Sequence, residues 1–75
     1  MTLEQFETSL RQFIRHEPFQ PFVVELNDGR LIEIDHPGVA FGGGAASFLT
    51  GQFELVEFAC ENVRAIREMA HETPS

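Results

Sequence analysis

Two short apolar runs separated by a turn, in residues 22–34, predict a β-hairpin around which the other elements are arranged. The turn consists of Asn27, Asp28 and Gly29. A three-residue loop pairs Phe22 with Ile34 and puts the apolar side chains on one face, whereas a two-residue loop would place Phe22 opposite Asp35. The further pairs of the preferred register are Val24 with Ile32 and Leu26 with Arg30. Gly29 stands at the left-handed position of such a loop, which a residue with a Cβ adopts only at a cost.

The N-terminal segment predicts an amphipathic helix over residues 2–16. Its apolar side chains recur at helical spacing on one stripe, formed by Leu3, Phe6, Leu10, Phe13 and Ile14. Thr2 followed by Gln5 fits a capping box, in which the side chain of each residue bonds the backbone of the other. The Glu17-Pro18 step disfavours helical backbone at Glu17, so we expect the helix to end near His16.

The segment between this helix and the hairpin repeats a Pro-Phe pair at an interval of three residues. Three residues is the period of an extended polyproline helix, so Phe19 and Phe22 are expected to project from one side. The segment therefore predicts a stiff link into the first strand rather than a ligand for another domain.

Short strands and turns follow the hairpin. Glycine, proline and small polar residues mark turns at residues 35–38, 42–44 and 50–52. Between them an apolar pattern resumes briefly at residues 39–41 and predicts strands at 45–49 and 53–58. Residues 63–67 suit a short closing strand, which we prefer, although Val63 and Ile66 also fit a helix with Met69 and Ala70. Residues 68–75 are expected to be a frayed tail, since 71–75 are polar and terminal.

The chain therefore predicts a single α+β domain over residues 1–75, with its antiparallel sheet or barrel at residues 22–67. In a chain of 75 residues, folding buries only about 60 to 65% of the unfolded surface, which favours association. Eight Phe residues, with no Trp or Tyr, exceed what so short a chain is expected to cover. The edge strands of the predicted sheet also favour association, because their unpaired N–H and C=O groups must pair with another strand. We expect a homo-oligomer with some Phe side chains at the contact.

The charge restricts the classes of partner. Five Arg against twelve Asp and Glu give a net charge of −7, which repels phosphate backbones and disfavours nucleic acid and anionic membranes. No apolar run approaches the length of a membrane span, and the single cysteine cannot form an internal disulfide. The predicted location is cytoplasmic, without a membrane.

Candidate chemistry is sparse, and we predict no catalytic, cofactor-binding or metal-binding residue. The Gly42-Gly43-Gly44 loop resembles a phosphate cradle but has no following helix or lysine. The three histidines show no paired ligand spacing. Cys60 with His36 could form a nucleophile and base, although a lone cysteine is more often a small buried hydrophobe. Asp35 and His36 are the candidate polar or partner-binding residues, because the carboxylate could hold the tautomer of the imidazole.

Residues 2–67 resemble the Sm-like small barrels, including the bacterial RNA-chaperone branch of that family. The resemblance lies in the first helix, in VELNDGR at residues 24–30 and in ENVRAI at residues 61–66. It implies a strongly bent sheet of four or five antiparallel strands, or a small Sm-like or SH3-like barrel. Ile34 replaces the glycine at which the second strand of the family bends. The asparagine of the family's nucleotide pocket is missing after Asp35, and Ala59-Cys60 replaces its arginine-glycine pair.

The stretch PFQPFVVELNDGRLIEIDHP is also similar to a signature, PFxPFxVxLxDGRxxxxxHP, of small bacterial proteins that have no assigned activity. Taken together, the sequence predicts a non-enzymatic interaction module that self-associates. The alternatives are an Sm-like RNA-binding protein and a small hydrolase built on Cys60 and His36.

Overall fold

The computed structural model describes residues 1–69. Its elements are the helix α1 (Leu3–Arg15) and the strands β1 (Phe22–Leu26), β2 (Leu31–Ile34), β3 (Val39–Gly42), β4 (Ala45–Leu49), β5 (Leu55–Ala59) and β6 (Val63–Glu68), with a 3-10 helix at Cys60–Asn62 before β6. The strands form two three-stranded antiparallel sheets, in the orders β2-β1-β6 and β3-β4-β5. The predicted α+β class is confirmed, and no closed barrel is found in the described part of the chain.

The chain passes between the two sheets at residues 35–38, so the single bent sheet of the sequence prediction is replaced by two separate ones. Pro37, within this connection, has no N–H to donate to a strand ladder, which disfavours a continuous strand through it. The 3-10 helix then carries the chain from β5 in the second sheet back to β6 in the first. Residues 35–38 form the break between β2 and β3.

The helix prediction is confirmed, with its cap. The Gln5 N–H donates to Thr2 Oγ1 at 3.1 Å and the Thr2 N–H donates to Gln5 Oε1 at 3.3 Å, which completes the capping box. The backbone is already extended at His16. Phe6 and Leu10 are fully buried, so the apolar stripe faces the sheets.

The hairpin has the predicted three-residue loop and register. Phe22 pairs with Ile34, and Val24 pairs with Ile32. Gly29 has a φ of +90°, in the left-handed region, and its N–H donates to the carbonyl of Leu26 at 3.0 Å. The loop geometry inferred from the register is therefore present.

Strand β5 differs from its predicted bounds. The fourth predicted strand, at residues 53–58, instead begins at Leu55, because Phe53 has a φ of 62° and belongs to the preceding turn. In that turn Thr50 Oγ1 accepts hydrogen bonds from the N–H groups of Gln52 and Glu54, both at 3.2 Å. The turn organised by Thr50 therefore makes the strand begin two residues later than the sequence predicted.

Residues 63–67 form the preferred strand rather than the alternative helix. β6 pairs with β1 along its length, with Val24 opposite Ile66 and Val63 opposite Leu26, and it continues to Glu68. Glu68 therefore belongs to the sheet and not to the tail. The rest of the predicted tail, at residues 70–75, lies outside the described residues.

The core between the two sheets and the helix holds most of the aromatic side chains. Four Phe side chains are buried, namely Phe6, Phe22, Phe48 and Phe58. Three more are half-buried against them, namely Phe13, Phe19 and Phe41. Phe13 stacks on Phe22 at 5.0 Å between ring centroids, and Phe19 meets the same ring edge-on at 6.1 Å, so the two phenyl groups of the link do share a side. One Phe remains exposed, Phe53.

Candidate functional site

His36 fastens the break between β2 and β3 to the end of β4. Its Nδ1 accepts a hydrogen bond from the Gly38 N–H at 3.1 Å, so Nε2 carries the ring proton and donates to the Leu49 carbonyl at 2.8 Å. The ring also meets Phe48 edge-on at 5.9 Å. Backbone groups therefore set the tautomer, a role that the sequence assigned to the carboxylate of Asp35, which is exposed.

Cys60 lies at the other end of β4. Its N–H donates to the Gly44 carbonyl at 2.7 Å, and its half-buried Sγ lies close enough that a Cβ added to Gly44 would meet it at 3.4 Å. His36 is held at Leu49, five residues further along the chain than Gly44. At about 3.3 Å per residue, roughly 17 Å separate these two points of attachment. The structure does not bring Cys60 and His36 together as a nucleophile and base.

The glycine-rich loop closes the β3–β4 hairpin. Gly43 and Gly44 both have positive φ values, of 62° and 86°, and Gly42 pairs with Ala45 on either side of them. This is the two-residue turn with left-handed central residues that suits a hairpin. The chain then enters a strand, so no helix N-terminus lies behind the loop to attract a phosphate.

The turn of the first hairpin is bonded to residues 61–64, which are distant in sequence and adjacent in space. Asn27 Nδ2 donates to the Glu61 carbonyl at 2.9 Å, and Arg64 Nη2 donates to the Asn27 carbonyl at 2.8 Å. The Arg30 N–H donates to Asp28 Oδ1 at 3.0 Å, and this bond, together with the nearby Arg30 guanidinium, lowers the pKa of Asp28. These contacts connect the β1–β2 turn to the 3-10 helix and to β6. Their role is structural.

Apolar side chains are exposed around the tip of the β4–β5 hairpin. Leu49 and Leu55 pair directly across the strands and are 51% and 60% exposed. Phe53, in the turn between them, is 86% exposed. We call Leu49, Phe53 and Leu55 the tip patch. A positive φ is unfavourable for a bulky residue such as Phe53. Exposure of its large apolar ring to water is also unfavourable, so the turn carries both costs.

The tip patch continues onto one face of the second sheet. Side chains alternate along the strands, and since Ala46, Phe48 and Phe58 face the core, the opposite set faces outward. We call this set the outer face; its members are Ala40, Gly42, Ala45, Ser47, Leu49, Leu55, Glu57 and Ala59. A hollow of about 300 Å³, open to solvent, lies over the small residues of β3 and β4.

The two sheets differ in what their outward faces carry. The outward positions of the first sheet carry the charged Glu25, Glu33 and Arg67 beside the apolar Val23, Leu31 and Ala65, and Arg67 Nη2 lies 3.9 Å from Glu25 Oε1. On the outer face of the second sheet, Glu57 is the single charged residue. Sequence reasoning did not single out this face. The signal was available, because no charged residue stands between Asp35 and Glu54 in a chain of net charge −7.

Within residues 1–69, no three His, Cys, Asp or Glu side chains come together where they could hold a metal ion. None of the helices in that range is long and apolar enough to cross a membrane. Comparison of the chain with protein-family models, with curated proteins and with solved structures gives no match.

Proposed function

We propose that this chain is a non-enzymatic interaction module that acts by associating with a second copy of itself. The observation that carries the proposal is the exposure of Phe53. The fold covers seven of the eight Phe side chains and leaves this ring 86% exposed. Exposed aromatic residues surrounded by smaller apolar ones are typical anchors of protein contacts, because their burial removes much apolar surface from water.

The neighbours of Phe53 support the same proposal. Leu49 and Leu55 extend the apolar surface onto the sheet, and β-strands of monomeric proteins usually present polar side chains on the solvated face. The small size of the chain adds a second reason, since association supplies burial that a domain of this length lacks. A self-associating module would gain stability as well as function from covering the tip patch.

The Sm-like fold class is part of this proposal and not a separate function. The pairing of the first strand with both the second and the last, below an N-terminal helix, supports it. We do not propose RNA binding, because a net charge of −7 repels phosphate groups. In addition, both ring nitrogens of His36, in the turn after β2, already bond backbone groups. Nor do we propose a hydrolase, since Cys60 and His36 lie at opposite ends of β4.

Analytical ultracentrifugation over a range of concentrations tests the proposal. The expected result is a weight-average mass that rises with concentration from the 8.5 kDa of one chain towards at least twice that value. A mass that stays at 8.5 kDa up to the millimolar range would refute self-association. Added salt should not dissociate the assembly, because the tip patch contains no charge.

A further inference from the structure

We infer that His36 is an acid-sensitive clasp between the two sheets, closed while its ring is neutral and released when the ring gains a second proton. The clasp consists of the His36 ring and its two backbone partners, the Gly38 N–H and the Leu49 carbonyl. It lies at the connection between β2 and β3, and its action does not depend on the proposed self-association.

The two hydrogen bonds of the His36 ring require one particular protonation state. The Gly38 N–H can only donate, so Nδ1, at 3.1 Å from it, is unprotonated. The Leu49 carbonyl can only accept, so Nε2, at 2.8 Å from it, carries the proton. A proton added to Nδ1 would place one donor against another and remove the bond to Gly38. The neutral ring therefore closes the clasp, and the doubly protonated ring does not fit it.

The clasp joins two parts of the chain that strand pairing leaves separate. His36 follows β2, a strand of the first sheet, and Leu49 is the last residue of β4, in the second sheet. Within residues 1–69, no strand of one sheet pairs with a strand of the other. Release of the ring therefore loosens residues 35–38 from the end of β4, at the edge of the tip patch.

The charges near the ring favour its protonated form. Asp35 precedes His36 in the chain, and its exposed carboxylate attracts an imidazolium. The segments that bond the ring add no charge of their own, because no Asp, Glu, Lys or Arg stands between Asp35 and Glu54. Glu54, whose carbonyl accepts from the Thr50 N–H at 2.9 Å, contributes a second acid at the end of β4. The ring thus has two alternatives, neutral and bonded to Gly38, or protonated and released beside Asp35.

His16 provides a contrast within the same chain. Its Nδ1 lies 2.9 Å from the Pro18 carbonyl, so this nitrogen donates and already carries a proton. A second proton enters at Nε2 and leaves the bond to Pro18 intact. Acid should therefore break a bond of His36 and spare the bond of His16.

The direction of the pH effect follows from the number of bound protons. The closed clasp binds one proton fewer than the released, protonated form, so a falling pH favours release. Histidine rings change charge between about pH 8 and pH 5, which is the range in which we expect the clasp to respond.

Nitrogen-15 NMR of the wild-type chain tests the two states directly. At about pH 8 the His36 ring should have an unprotonated Nδ1 and a protonated Nε2. As the ring gains its second proton, the protection of the Gly38 amide against hydrogen exchange should fall roughly fivefold, as expected for the loss of one net hydrogen bond. The opposite tautomer, or protection that is constant through the titration, would overturn the inference.

Variants test the consequence for stability, with His16 as the matched control. His36→Gln still offers a donor and an acceptor but cannot be protonated. Between about pH 8 and pH 5, the Tm of the wild type should fall more than that of His36→Gln, and His16→Gln should fall as the wild type does. Asp35→Asn should move the midpoint of the fall to lower pH, because the protonated ring loses its acidic neighbour. Equal falls in the wild type and His36→Gln would refute the clasp and leave self-association untouched.

Discussion

His36 Nε2 lies 2.8 Å from the carbonyl oxygen of Leu49, although thirteen positions separate the two residues in the chain. The bond joins the break between the two sheets to the last residue of β4, at the edge of the tip patch. The ring that was a candidate for polar chemistry therefore positions the surface from which we infer self-association.

Replacing His36 with alanine removes both hydrogen bonds of the ring and its contact with Phe48. A net hydrogen bond contributes about 1 kcal/mol, so we expect the free energy of unfolding to fall by about 1 to 2 kcal/mol. Chemical denaturation measures the change. His36→Gln, which can still offer one donor and one acceptor, should lose less, and equal losses in both variants would contradict the role of the bonds.

Gly29→Ala is expected to destabilise the protein by about 1 kcal/mol, because a Cβ disfavours the left-handed backbone at this position. Gly51→Ala is the control. A Cβ on either glycine would meet nothing within 4 Å, and of the two only Gly29 has a φ, of +90°, in the left-handed region. Thermal unfolding should show a lower Tm for the first variant alone. An unchanged Tm would mean that the loop tolerates a side chain.

Phe53→Gly should separate stability from association. Glycine adopts a φ of 62° without strain, and the relief of about 1 to 2 kcal/mol offsets the greater freedom of glycine in the unfolded chain, so the free energy of unfolding of the monomer should not fall. Loss of the exposed ring should weaken self-association at the same time. Denaturation at low concentration and sedimentation at high concentration measure the two effects, and a variant that associates as well as the wild type would remove Phe53 from the contact.

The pH dependence of the first hairpin is expected to follow Asp28. Hydrogen bonding from the Arg30 N–H, with help from its guanidinium, lowers the pKa of Asp28 below its ordinary value of 3.8. A carboxylate whose pKa is lower in the folded state stabilises the fold above the ordinary pKa, and this contribution disappears as the pH falls through the lowered value. Wild type and Asp28→Asn should therefore differ in stability at neutral pH and converge below pH 3.8. A difference that persists in acid would assign the effect to something other than the charge.

Mixed-sequence RNA should not bind at micromolar concentration in about 150 mM salt, because the chain has a net charge of −7, which repels phosphate groups, and lacks the asparagine and the arginine-glycine pair of the Sm-like nucleotide pocket. Fluorescence anisotropy with a labelled oligonucleotide tests this expectation. Saturable binding that weakens as salt is raised would favour the RNA-binding alternative over the interaction module.

Several elements were determined by the sequence alone, because their causes are local. The capping box of Thr2 and Gln5 needs only residues three positions apart, and the register of the first hairpin follows from the period of two and from Gly29. These elements were predicted correctly. The absence of Asp, Glu, Lys and Arg between Asp35 and Glu54 could also be read from the sequence. The sequence did not show that β3 and β4, which lie in this segment, are neighbours in one sheet.

Tertiary structure decided the rest. Val63 and Ile66 fit a strand or a helix in isolation, and pairing with β1 selected the strand. Phe53 continued an apolar run in the sequence, but the hydrogen bonds of Thr50 placed it in a turn, outside the core. The partners of His36 are backbone groups, which all residues possess, so no sequence pattern could identify Leu49 as one of them. Such contacts form only when distant strands pack together. Several local conformations of these segments have similar free energies, and burial and strand pairing stabilise one of them.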